Sequence, residues 1–211
     1  KNKKLIFKVL DMGKITRYRA KTFESKEPET LNWIDNFDSN DTFLDIGANV
    51  GIYSIYAAVN NIKKVISIEP DALNYALLNI HIQENRFNNI ITPYCLAIHD
   101  TNKFSKLNFS SFMWGGAENS FDNKFDFNGE EYSPVHSQGI YGVSLDSFLS
   151  EIDFKPNHIK IDVDGNEHLI LVGAFQTLKS RELKSLLIEL NEGRNDYKNS
   201  LNLIKSSGFE L

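Results

Sequence analysis

The sequence predicts an α/β fold: a doubly wound, mostly parallel sheet with helices on both faces and an inserted lid or hairpin. Three observations carry this. From Asp41 onward, short β-branched runs alternate with helical patterns, the signature of parallel strands covered on both sides. A glycine-rich turn, Gly47-Ala48-Asn49-Val50-Gly51, joins the first of these strands to its helix. Residues 100–143 then break the rhythm.

In chain order, Lys4–Asp11 is read as a strand, and Pro28–Phe37 as a helix with Pro and Glu29 in its first turn. Thr42–Ile46 is a buried strand ending at Gly47, and Ile52, Ile55, Tyr56 and Val59 repeat at helical spacing. Val65–Ile68 is a second strand, stopped by Pro70, and Leu73, Leu77, Ile80 and Glu84 mark the next helix. A third strand runs through Ile90–Ile98, and His158–Val163 is a fourth. Leu169, Ile170, Gly173, Ala174 and Leu178 line one helix face. Leu186–Leu190 is a fifth strand, followed by a helix through Leu201 and Ile204 that ends near Gly208.

The 211 residues, 41% hydrophobic and 24% charged, suit one domain spanning 1–211, with residues 1–40 as an N-terminal extension. The net charge of −5 argues against nucleic acid or anionic membranes as partners. No apolar run approaches a membrane span or a signal-peptide core, so a cytoplasmic location is expected. The single cysteine, Cys95, excludes an internal disulfide and reads as a small packed hydrophobe. The start at Lys1 rather than Met fits a clipped chain.

Residues 100–143 hold nine of the 25 aromatics, five of the 12 glycines and a net charge of −3. Trp114, Phe112 and Tyr141 are candidates for an apolar platform over an acceptor, and Trp114–Ser120 for a mobile gate. The alternation Phe125-Asp126-Phe127 reads instead as a hairpin burying one face.

Ligands of such sheets bind beyond the carboxyl ends of the strands, where the glycine turn lies. Gly47 allows a tight turn and Gly51 close helix–strand packing. Glu69 ends the second strand, 24 residues after Asp45, where a carboxylate can accept from both hydroxyls of a ribose. A pyrophosphate wants Gly-x-Gly-x-x-Gly and a free helix terminus. Here the glycine spacing differs, and Asp45 at the turn would repel phosphate while suiting an amino-acid ammonium. That favours S-adenosylmethionine over NAD. The competing readings are an NAD-dependent oxidoreductase and a SAM-binding module without turnover.

The segments Glu29-Thr30, Trp33-Ile34, Phe43–Gly51, Ile68-Glu69-Pro70, Ala97-Ile98, Ser144-Leu145-Asp146, Ile159–Glu167 and Ile188-Glu189 together resemble the FkbM-type family of SAM-dependent methyltransferases. The resemblance covers about Pro28 to Glu192. It implies a Rossmann-like class I sheet of seven strands and O-methylation of a hydroxyl on a saccharide or secondary metabolite. It also implies a cofactor site at Asp45, Gly47, Ala48, Asn49, Gly51 and Glu69, with Pro70, Ala97 and Asp162 lining it. Asp164 stands where the family usually carries Glu, and Asn166 where Ala is usual, departures that bear on substrate-side geometry. Such sheets close with an antiparallel hairpin, whose first strand would begin at Phe209-Glu210-Leu211, where the chain stops. The expected sheet is therefore one hairpin short, or completed differently.

The fourth strand brings Asp162, Asp164 and Glu167 to its carboxyl end. An alcohol is a poor nucleophile until it loses its proton, so a positioned base helps. Asp162 is the first candidate, followed by Glu167 and His136. Lys160 shares Asp162's side of the strand and can pair with a carboxylate, in a catalytic or purely structural role. Three carboxylates can hold a hard divalent cation, but no histidine is close in sequence and no metal ligand is assigned. Asp164 or Asn166 can instead cap the next helix, with Glu167 in its first turn. The turn after this strand lacks the proline and aromatic that nucleobase methylation uses, which again disfavours nucleic acid.

Overall fold

The structure is a computed structural model that describes residues 7–210. Five parallel strands form the main sheet: β1 (Thr42–Ile46), β2 (Lys64–Ile68), β3 (Ile91–Tyr94), β8 (His158–Ile161) and β9 (Ser185–Ile188), in the order β3-β2-β1-β8-β9. The order reverses at β1 and β8, and the glycine turn sits at that crevice. β4 (Ala97–His99), β5 (Lys103–Phe109), β6 (Ser120–Phe121) and β7 (His136–Ser144) form a second sheet, in the order β4-β7-β5-β6. Of the seven strands implied for the main sheet, the described residues supply five.

Strand alternation sorts the core into two layers. Leu44, Ile46, Ile66, Ile68, Ile159 and Ile161 face α5 (Leu145–Glu151), α6 (Glu167–Val172), α7 (Phe175–Leu178) and α8 (Tyr197–Ser206). Phe43, Val65 and Ile91 face α2 (Pro28–Asp35), α3 (Ile52–Val59) and α4 (Ala72–Glu84). Because Phe43 lies on this second face, so do Asp45, His158 and Lys160 by alternation and register.

Four elements differ from the sequence reading. The strand expected over Lys4–Asp11 lies partly outside the described residues, and residues 7–11 are not in a strand. Leu10 N–H donates to His81 Nε2 (2.9 Å), and the Nδ1 of that ring meets the carbonyl of Val50 at 2.7 Å. An additional helix, α1 (Lys14–Lys26), precedes α2. Finally, Ile90–Ile98 is two strands: β3 ends at Tyr94 and β4 joins the second sheet. Pro93 is tolerated because β3 is an edge strand. The helix expected through Leu178 likewise breaks at Gly173 into α6 and α7.

Candidate active site

The turn after β1 is held by close backbone approach. Gly47 has φ of +82°, and a Cβ placed there would lie 1.8 Å from the carbonyl oxygen of Asp162. No side chain fits. At Gly51 (φ +84°) a Cβ would fall 2.3 Å from Leu78 Cδ1, so this glycine sets how closely the turn packs on α4.

Every amide of the turn is engaged. Gly47 and Ala48 donate to the carbonyl of Ile68 (3.0 and 2.9 Å), Asn49 to Glu69 Oε2 (2.7 Å), Val50 to Asn49 Oδ1 (3.0 Å) and Gly51 to the carbonyl of Ala48 (2.8 Å). A phosphate cradle needs free N–H groups, and this turn presents none. Glu69 is buried; its Oε1 accepts from Asp71 N–H (2.9 Å). Burial pushes its carboxyl up to about 8. Each oxygen keeps a further lone-pair site for a hydroxyl.

Three cavities meet around Gly47. One is an apolar slot lined by Ile46, Ile68, Pro70, Ala97, Phe121 and Val163. The second, about 60 Å³, runs past Glu69, Asn74, Gly116, Asn119 and Asp162. The third, about 50 Å³, extends over Ala48 and Asn49 to Tyr53, Lys160 and Asp162, and is roofed by Arg19, Thr22, Phe23, Lys26 and Glu27. The roofing residues come from α1 and the joint to α2, which sequence reasoning left unassigned.

Lys160 is fully buried, and its Nζ donates to Asp162 Oδ2 at 2.5 Å and stands 5.0 Å from the Tyr53 ring centroid. Burial opposes the ammonium charge, but the carboxylates of Asp162 and Asp45 outweigh it and hold Lys160 above the usual lysine range. Burial likewise opposes the charge of Asp162, and Lys160 prevails, holding this carboxyl below its usual range. Asp45 lies inside β1 rather than on a cavity wall. Its Oδ2 accepts from Ser54 Oγ (2.6 Å), burial raises its carboxyl, and its Oδ1 is a buried oxygen without a partner.

The remaining carboxylates diverge. Asp164 Oδ2 accepts from Glu118 N–H (2.6 Å), tying the fourth-strand turn to the loop before β6. Glu167 accepts from Gly165 N–H (2.8 Å), is pushed by burial up to about 7, and lines none of the three cavities. Its geometry is that of a group supporting its own helix start; Asn166 makes no side-chain cap there. Among the described residues no cluster of three or more His, Cys, Asp or Glu side chains has the arrangement of a metal site.

His136 is displaced from the expected position. It sits exposed at the start of β7, packed on Phe109 and Phe112, and lines none of these cavities, so the geometry does not support it as the base. Of the expected platform, Tyr141 pairs with the exposed Phe104, and Phe112 belongs to the His136 cluster. Trp114 packs beside the core formed by Val50, Ile52 and Leu77. Phe125 is exposed rather than buried by its hairpin. The Trp114–Ser120 segment does cover the site. The Gly116 carbonyl accepts from Asn49 Nδ2 (2.7 Å) and Asn74 Nδ2 (3.0 Å), while Arg19 Nε donates to the Gly115 carbonyl (2.9 Å).

The family model described as "Methyltransferase FkbM domain" matches residues 45–211, more than half of the chain. The chain belongs to the FkbM methyltransferase family. Its fold is similar to that of a methyltransferase FkbM from Methylobacillus flagellatus KT, with TM-score 0.55 and 21% identity over 81% of this chain and 38% of that one. This chain therefore spans well under half the length of that relative. A precorrin-6y C5,15-methyltransferase from Geobacter metallireducens GS-15 aligns with TM-score 0.48 and 15% identity over 97% of this chain and 78% of that one. A SAM-dependent methyltransferase from Agrobacterium tumefaciens aligns with TM-score 0.48 and 10% identity over 85% and 48%. No curated protein matches the chain. The FkbM fold here is the Rossmann-like class I arrangement, and no described helix is long and apolar enough to cross a membrane.

Proposed function

We propose that this FkbM-family chain is an S-adenosylmethionine-dependent O-methyltransferase acting on a hydroxyl of a saccharide or secondary metabolite. One observation carries the cofactor reading: the cavities join an apolar slot, a ribose-accepting carboxylate and a polar end across a turn with no free amide. That series suits adenine, ribose and an amino-acid tail, and disfavours a pyrophosphate. Pro70, Ala97 and Val163 would flank the base, Glu69 the ribose, and Gly47 and Asn49 the tail. The orphan oxygen of Asp45 is suited to a nearby positive charge.

When bound, S-adenosylmethionine supplies an electrophilic methyl on its sulfonium. Asp162 is the acceptor-side group. Lys160 occupies its Oδ2, and among the described residues Oδ1 remains available to accept from an acceptor hydroxyl. Because Lys160 holds Asp162 as a carboxylate, Asp162 is already charged at neutral pH and would accept the hydroxyl proton at Oδ1 as the oxygen takes the methyl and the sulfur keeps the bonding pair. Holding the acceptor oxygen in line supplies much of the rate. Lys160 is a positioning residue. The acceptor in this reading is a small molecule or saccharide, and the location is cytoplasmic.

Calorimetry with S-adenosylmethionine and with NAD, followed by transfer of labelled methyl to a panel of alcohols and sugars, tests the reading. Binding of S-adenosylmethionine alone, with label on an acceptor oxygen, is expected. NAD binding without S-adenosylmethionine binding would overturn it. Cofactor binding without transfer to any acceptor would leave the chain a binding module.

A further inference from the structure

The α1 roof carries a charge that the catalytic reading does not use. Three cations line the cavity beneath it. Lys160 is committed to Asp162 (2.5 Å), and Lys26 to Glu27 (2.9 Å). Arg19 is the third. Its Nε is held by the Gly115 carbonyl, and among the described residues its two terminal nitrogens have no carboxylate partner. Arg19 is half-buried and lines the cavity that also holds Gly47, Lys160 and Asp162, so it faces the centre of the site. With both other cations paired to carboxylates, Arg19 is the cavity cation left for a ligand, and its planar group is the one best suited to a carboxylate.

We infer that Arg19 is an anion clamp for the α-carboxylate of the cofactor's methionine tail, so that α1 recognises the amino-acid end and the sheet the nucleoside end. The inference rests on the cofactor reading above and assigns α1 a task within it. Two features set the clamp. The Nε bond to Gly115 fixes the guanidinium plane, leaving its outer edge for two parallel bonds. The cavity floor, Gly47 and Asn49, is continuous with the Glu69 cavity, so one ligand can reach both.

The test compares ligands with and without the tail. S-adenosylhomocysteine carries the carboxylate, whereas 5′-methylthioadenosine keeps adenine, ribose and sulfur but has no amino-acid end. Calorimetry on wild type, Arg19→Gln and Arg19→Lys reads both ligands. Arg19→Gln should weaken S-adenosylhomocysteine by about 10- to 100-fold and change 5′-methylthioadenosine by less than about 2-fold. Arg19→Lys should recover part of the loss. Equal losses for both ligands in Arg19→Gln, or none for either, would overturn the clamp. Wild-type protein that binds neither ligand would remove the nucleoside site itself, and the clamp with it.

Discussion

β1 and β8 carry two buried ionic clusters on the same face of the sheet, one at each end. At the amino end, His158 Nε2 meets Asp41 Oδ2 at 2.9 Å and its Nδ1 meets Ser185 Oγ at 2.7 Å. Trp33 Nε1 donates to the same hydroxyl (2.8 Å), Lys184 Nζ to Asp41 Oδ1 (2.5 Å), and Phe37 stacks on the imidazole at 3.7 Å. At the carboxyl end, Lys160 and Asp162 also pair, yet Asp45 Oδ1 has no partner and Arg19 has no counter-ion among the described residues. The first cluster resembles a serine–histidine–aspartate relay but is closed on itself beneath a stacked ring, so it ties α2 to the sheet. The second has unmet valences beside cavities. In buried polar groups, completeness marks a strut and incompleteness marks a site.

The largest expected effect comes from filling the approach between turn and fourth strand. Gly47→Ala should destabilise the protein by on the order of 3 kcal/mol, from a positive φ and an atomic overlap, and abolish nucleoside binding. Chemical denaturation and calorimetry read both. Next, Asp162→Asn should keep nucleoside affinity within about 2-fold and lower methyl transfer by about 100-fold or more. Unchanged transfer would remove Asp162 from the reaction. Because either single change strands a buried partner, Lys160→Met and Asp162→Asn should each cost stability, with the double variant losing less than the two combined. Denaturation of all four proteins measures that coupling.

At the closed end, Asp41→Asn should cost roughly 1–3 kcal/mol and leave transfer unchanged at saturating cofactor. The pH dependence follows from the same residues. Burial holds His158 and His81 below the ordinary histidine value of 6.5, so between the folded and unfolded values the unfolded chain binds more protons. Their contribution is present above 6.5 and is lost as pH falls through the depressed folded values; that of Asp41, also held low, is lost below 3.8. Denaturation curves should therefore weaken in two acidic stages. The smallest effect belongs to His136→Ala, expected to leave transfer within about 2-fold because the ring packs away from the cavities.

The strands were legible because β-branched runs ending in Gly47 or Pro70 have few alternatives, and Glu69 was legible from its strand end. Lys160 and Asp162 could be paired in advance because two residues on one strand share a face. α1 was not. Its sequence, Lys-Ile-Thr-Arg-Tyr-Arg-Ala-Lys-Thr-Phe-Glu-Ser-Lys, has no broad apolar stripe, and it roofs the site only through tertiary contacts, such as that of Arg19 with Gly115, 96 residues along the chain. A basic residue recurring beside aromatics was the available signal, and it is weak. The break after Tyr94 escaped notice because Cys95 and Leu96 continue an apolar run, while the departure to a second sheet is decided by β7, more than 40 residues later. His136 was misplaced for the same reason: proximity in a hairpin depends on register, which the sequence does not display.

The departure of β4 from the main sheet has a thermodynamic consequence. The apolar slot has Ile46 and Ile68 of one sheet on one side, and Ala97, Leu107 and Phe121 of the other opposite. A flat heteroaromatic ring seated there is a missing layer of hydrophobic core shared by both sheets. Loading the slot and anchoring residues 97–143 then become a single equilibrium, and saturating ligand should slow amide exchange across β5 and β7 as effectively as it protects the glycine turn.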